Sequence, residues 1–81
     1  MATHKRDIRT IEALYKNGML EFSIKLMEDN KSNEEAIENL KVLEYYKEVI
    51  NDTSLSAILK NNYFKLIDET IKKIKKSKGW T

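Results

Sequence analysis

Cysteine and proline are absent from the 81 residues, glycine occurs twice and histidine once. Without cysteine there is no disulfide, no thiolate nucleophile and no thiolate-held zinc. Long hydrophobic runs are missing too. The longest stretch two or three residues against the roughly 20 that a bilayer-spanning helix needs, so no transmembrane segment is expected. Residues 1–10 are polar and basic with no apolar stretch behind them, which argues against a secretory signal and makes the cytoplasm the expected address, the host cytoplasm if the gene is a phage's. A content of 41% hydrophobic and 35% charged residues describes an ordered, soluble chain. Its length corresponds to a single small domain, residues 1–81. A domain of this size buries only about 60% of its unfolded surface, so association with a second copy is expected.

The net charge of +2 conceals a strong asymmetry. Residues 1–18 carry four basic and two acidic groups, residues 19–52 four and nine, and residues 53–81 seven and two. An acidic middle between basic ends can neutralise itself by packing helix on helix, or by pairing with a second copy.

Apolar residues recur at three and four, never at two for long, so every element is expected to be helical. The first helix spans about 5–17, with Thr3 as a candidate N-cap, Ile8, Ile11, Leu14 and Tyr15 on one face and Gly18 as a left-handed stop. A second covers about 19–28 and is expected to bury Leu20, Phe22, Ile24, Leu26 and Met27; were Gly18 tolerated inside a helix, the two would merge. Ser32 and Glu35 form a capping box that opens a third helix over 33–50. Asn51-Asp52-Thr53 is expected to break it and to cap a fourth over 54–76, whose last turns hold Lys72, Lys73, Lys75, Lys76 and Lys78 before Gly79.

At 100° per residue the third helix carries two apolar stripes. Ala36, Ile37, Leu40 and Leu43 form one; Val42, Tyr45, Tyr46 and Val49 form the other, with Ile50 at its edge. The fourth has Leu55, Leu59 and Leu66 on one side and Phe64, Ile67, Ile71 and Ile74 on another. So much apolar arc points to a dimer or an obligate partner surface, with Val42, Tyr45, Tyr46, Val49, Phe64 and Ile71 as the candidate docking residues. Asn62, among the leucines, reads as a register-fixing amide, as a break or rotation of the fourth helix near Asn61-Asn62, or as a partly solvated position.

The catalytic inventory is short. His4 lies near the terminus with no fixed partner, and serines 23, 32, 54, 56 and 77 have no histidine to activate them. Glu34, Glu35, Glu38, Glu44 and Glu48 place carboxylates four apart, yet no histidine adjoins them, and Lys41 and Lys47 stand within reach to balance the charge. Pairs Glu12–Lys16, Glu21–Lys25, Asp68–Lys72 and Glu69–Lys73 have the same favourable spacing. A solvated helix face is the simpler account, so no metal, cofactor or catalytic site is expected.

The run from Lys72 to Trp80 is the one patch suited to an external anion. Lys72, Lys73, Lys75, Lys76 and Lys78 could lie along phosphates, with the Trp80 indole free to stack on an unpaired base or lie at a membrane headgroup. Lysines without arginine forks favour phosphate contact over base readout. Thirteen lysines against two arginines also match an AT-rich coding bias found in some bacteria and phages. A helix-turn-helix would begin its recognition helix at Thr53, but the acidic helix before it would repel the backbone it must cross.

The run Asn33-Glu34-Glu35-Ala36-Ile37-Glu38-Asn39-Leu40, then Leu43-Glu44-Tyr45-Tyr46-Lys47, Leu55-Ser56-Ala57 and Lys65-Leu66-Ile67-Asp68-Glu69-Thr70, resembles the layout of Hha-type small helical modulators. It is similar also to short helical proteins encoded beside phage recombination helicases. The resemblance covers about half the chain and implies a short acidic helix before a longer one, in a module that binds a nucleoid or DNA-processing protein. Where the Hha type has Ala-Asp-His-Arg, this chain has Asn61-Asn62-Tyr63-Phe64, and no site residue carries over.

The sequence therefore predicts an all-α fold: a small antiparallel bundle of three or four helices whose two longer C-terminal helices form a hairpin. The expected role is that of a non-enzymatic protein-interaction module, a bacterial or phage regulator or inhibitor that occludes a partner. A nucleic-acid-binding protein using the lysine-rich end is the alternative.

Overall fold

The computed structural model describes residues 5–80, which form four helices: α1 (Lys5–Lys16), α2 (Leu20–Leu26), α3 (Asn33–Asn51) and α4 (Ala57–Lys78). No strand occurs among the described residues. Thr3 and His4 lie outside them.

Both glycines end helices by the same device. Gly18 has φ +69°; its N–H donates to the Tyr15 carbonyl at 3.0 Å and the Met19 N–H reaches the Leu14 carbonyl at 2.8 Å. Gly79, at φ +74°, repeats the pattern, with its N–H on Lys76 and the Trp80 N–H on Lys75. These are Schellman turns, and they satisfy carbonyls that each helix end would otherwise leave open. A side chain at Gly18 would meet nothing within 4 Å, so its cost is that of the left-handed backbone alone. Gly18→Ala is expected to lower stability by about 1 kcal/mol in urea titration with an unchanged m-value.

At the start of α3 the Ser32 hydroxyl accepts the Glu35 N–H at 3.1 Å. The start of α4 departs from expectation. Ser56 is its cap, accepting the Leu59 N–H at 3.3 Å, and the helix opens at Ala57 rather than Ser54. Thr53 is buried and donates back to the Ile50 carbonyl at 2.7 Å. Ser54 is claimed from far away, because its N–H and hydroxyl both donate to the Glu12 carboxylate of α1, at 3.0 and 2.9 Å.

That clasp, led by the backbone N–H, holds the Glu12 carboxyl below its ordinary value, and the nearby Lys16 ammonium adds to the effect. A lowered folded pKa adds stability above the unfolded carboxylate range and loses it as pH falls through the folded value. Acid titration of stability should therefore be shallower in Ser54→Ala than in the wild type, measured as urea midpoints between pH 6 and 2.5.

The core is one cluster: Ile11 from α1, Leu20 and Ile24 from α2, Ala36, Leu43, Val49 and Ile50 from α3, Ile67 and Ile74 from α4. The pairing of α3 with α4 is the most extensive in the molecule, and it is antiparallel. Lys60 donates to the Asn51 carbonyl, Lys47 pairs with Asp68 at 2.9 Å, and Leu40 shares a groove with Lys75, so the partner number rises as the α3 number falls. The acidic start of α3 thus lies beside the basic end of α4. α1 runs along the second half of α3, fixed by Asp7 on Tyr45 and Glu12 on Ser54. It meets α4 through an edge-on Tyr15–Tyr63 contact at 6.2 Å.

α2 is amphipathic in a way its sequence conceals. Leu20 and Ile24 are buried, but Phe22 and Leu26, expected inside, are 54% and 57% exposed. Seven residues make under two turns, and a helix that short offers the core one narrow edge.

Candidate interaction surface

The docking residues proposed from the sequence divide into three groups. Val49 is wholly buried, which corrects its assignment to a partner face: α1 lies over that end of the stripe and makes Val49 core. Tyr46 and Phe64 are half-buried and pack against the core, and Val42 is half-buried on the α3 surface. Of the six, Tyr45 and Ile71 line the larger open groove.

That surface is a shallow groove of about 710 Å³ along α3 and α4. Leu40, Tyr45 and Ile71 supply its apolar floor, and Lys41, Glu44, Lys47, Glu48 and Lys75 its rim. Ile37, 47% exposed, stands one turn before Lys41 and extends the apolar row along α3. The Tyr45 hydroxyl donates to the Asp7 carboxylate, which anchors the ring between the groove and a smaller cleft lined by Asp7, Thr10, Ile11, Tyr46 and Val49. This bond to an anionic acceptor pushes the Tyr45 phenol above its ordinary pKa, with desolvation adding to it.

A second groove of about 490 Å³ runs between α2 and α4 and is more polar. Asn62 lies in its wall, exposed, on a helix unbroken through Asn61 and Asn62, so it is a solvated position and not an amide inside a seam. Among the described residues no three histidine, cysteine, aspartate or glutamate groups converge closely enough to hold a metal ion.

Of the four favourable i to i+4 pairs, Glu21–Lys25 forms, at 2.9 Å. Glu12 goes to Ser54 instead, Asp68 crosses to Lys47, and Lys73 pairs with Glu28 of the α2–α3 loop at 3.8 Å. Lys72, Lys75 and Lys76 are exposed, Lys78 is half-buried, and Trp80 is 39% exposed beyond the Gly79 turn. The exposed row of Met19, just before α2, with Phe22 and Leu26 on it, was not legible in the sequence, nor was Ile58, 74% exposed at the start of α4.

No family model, curated protein or solved structure matches the chain. Among the described residues no helix is long and apolar enough to cross a membrane.

Proposed function

We propose that this protein is a non-enzymatic interaction module that receives an amphipathic helix of a partner protein in the α3–α4 groove, and regulates the partner by covering the surface that helix belongs to. One observation carries the reading: an apolar floor of Leu40, Tyr45 and Ile71 stands open between the two longest helices, with charges of both signs along its edge. A groove between two helices accepts a third as ridges enter a furrow, and apolar anchors three and four residues apart would meet that floor. The α3 edge alternates Lys41, Glu44, Lys47 and Glu48 and the α4 edge carries Lys75, so an incoming helix with charges of both signs on its flanks would be met at the rim. The resemblance to Hha-type modulators favours a nucleoid or DNA-processing protein as the partner class, in a bacterium or phage.

The test places a photoreactive amino acid at Glu44 in the groove and, separately, at Asn62 on the opposite side of α4, in the wall of the α2–α4 groove. Adducts to one protein from Glu44 and not from Asn62 are expected, with the crosslink inside a helix of that protein. Adducts from both positions alike, or only to a second copy of this chain, would overturn the reading.

A further inference from the structure

We propose that the outward face of α4 is a docking strip for the phosphate backbone of nucleic acid, carried by Lys65, Lys72 and Lys76. These three fall within an arc of about 40° on a helix advancing 100° per residue, and 11 residues at 1.5 Å set them along about 16 Å. All three are exposed. This strip differs from the terminal lysine run by including Lys65, eleven residues before Lys76, and by excluding Lys73, which Glu28 already holds.

Neither of two ordinary explanations accounts for the whole row. Helix-dipole compensation acts within the last turn, which accounts for Lys75, Lys76 and Lys78 but not for Lys65 or Lys72. Neutralisation by a carboxylate one turn away was the expectation for Lys72, but Lys47 of α3 draws Asp68 across the hairpin. Among the described residues Lys65, Lys72 and Lys76 make no ion pair. Glu69 is the one carboxylate on the strip without a cation of its own, so the face keeps a net positive charge.

The chemistry favours a nucleic acid over a lipid surface. An interfacial helix must offer an apolar face beside its lysines, yet Ile67 and Ile74 of α4 are wholly buried in the bundle and Ile71 turns into the α3–α4 groove, about 100° around the helix from Lys72. The strip's other neighbours are Asn61 and Asn62, with a single apolar residue, Ile58, at its far end. Lysine point charges on a rigid rod suit a regular row of phosphates and carry no fork for reading bases, so the contact is indifferent to sequence.

The test is fluorescence anisotropy of labelled 20-nucleotide single strands and duplexes with the full chain, from 50 to 200 mM salt. Three phosphate contacts predict a log–log slope of about −2.7 on duplex and about −2.1 on single strands, or roughly 40-fold weaker duplex binding across that range. Lys65→Gln, Lys72→Gln and Lys76→Gln should each reduce the slope by about 1, and the triple variant should remove binding. Glu69→Gln should strengthen it, and Lys31→Gln, in the α2–α3 loop, should leave it unchanged. All five positions are exposed, and circular dichroism checks that each variant folds. No anisotropy change at 50 mM salt, a triple variant that binds like the wild type, or tighter binding to anionic phospholipid vesicles than to either oligonucleotide would each overturn the proposal.

Discussion

Val49→Asp is expected to leave the chain unfolded at pH 7, with its helical circular dichroism and cooperative urea transition lost, whereas Phe22→Asp keeps both. Val49 has no exposed surface, and the cleft beside it is lined by Asp7, Thr10, Ile11, Tyr45 and Tyr46. A carboxylate there loses its hydration, gains no cation and stands near the Asp7 carboxylate. A buried unpaired charge costs several kcal/mol, to which the lost valine packing is added. A domain of this length has about 4–12 kcal/mol in total. Helix should return in part below the carboxylate range, where the new side chain is neutral. At Phe22, 54% exposed, the same substitution removes little packing, and the change should stay within about 1 kcal/mol. A Val49→Asp protein that melts like the wild type would mean that α1 does not cover this part of α3.

The pair also marks where sequence stops predicting structure. Helix ends written in local chemistry could be read directly: Gly18 and Gly79 take the left-handed backbone, and Ser32 accepts the Glu35 N–H. The start of α4 could not, because Thr53, Ser54 and Ser56 are all competent caps. The choice among them is made by Glu12, 42 residues from Ser54, which claims that serine from another helix. Periodicity likewise showed two apolar stripes on α3 without showing what covers each. α1 takes Val49 and leaves Tyr45 at a boundary, with its ring on the groove and its hydroxyl on Asp7.

Ion pairs follow the same division. Glu21 and Lys25 are exposed side chains one turn apart on the same helix, and the local pair forms although Glu28 also acts on Lys25. Asp68 faces Lys47 across the hairpin, and the tertiary pair wins. Each such exposed pair contributes little stability, but the exchange decides which cations remain open to a ligand. Lys72 is open for this reason, and no reading of α4 in isolation would show it.

The groove assignment predicts the largest functional effect. Leu40→Asp should weaken binding of the protein captured through Glu44 by at least 30-fold, as measured by titration calorimetry, while Phe22→Asp and Ile58→Asp leave affinity unchanged. The argument rests on how interfaces concentrate their energy: a few apolar anchors at the centre of a desolvated patch each contribute about 2 kcal/mol or more, and rim charges much less. Leu40 belongs to the apolar floor with Tyr45 and Ile71, so a charge there must be desolvated whenever a helix docks. Phe22 and Ile58 are as apolar and more exposed, yet neither lines this groove. Leu40 also packs against the core, so a second variant separates binding from folding. Glu44→Trp, at an exposed rim position, fills the groove without touching the interior and should block the partner in a protein whose urea transition is unchanged. Full affinity in both variants would move the interface elsewhere, and the exposed row of Met19, Phe22 and Leu26 would then be the face to test.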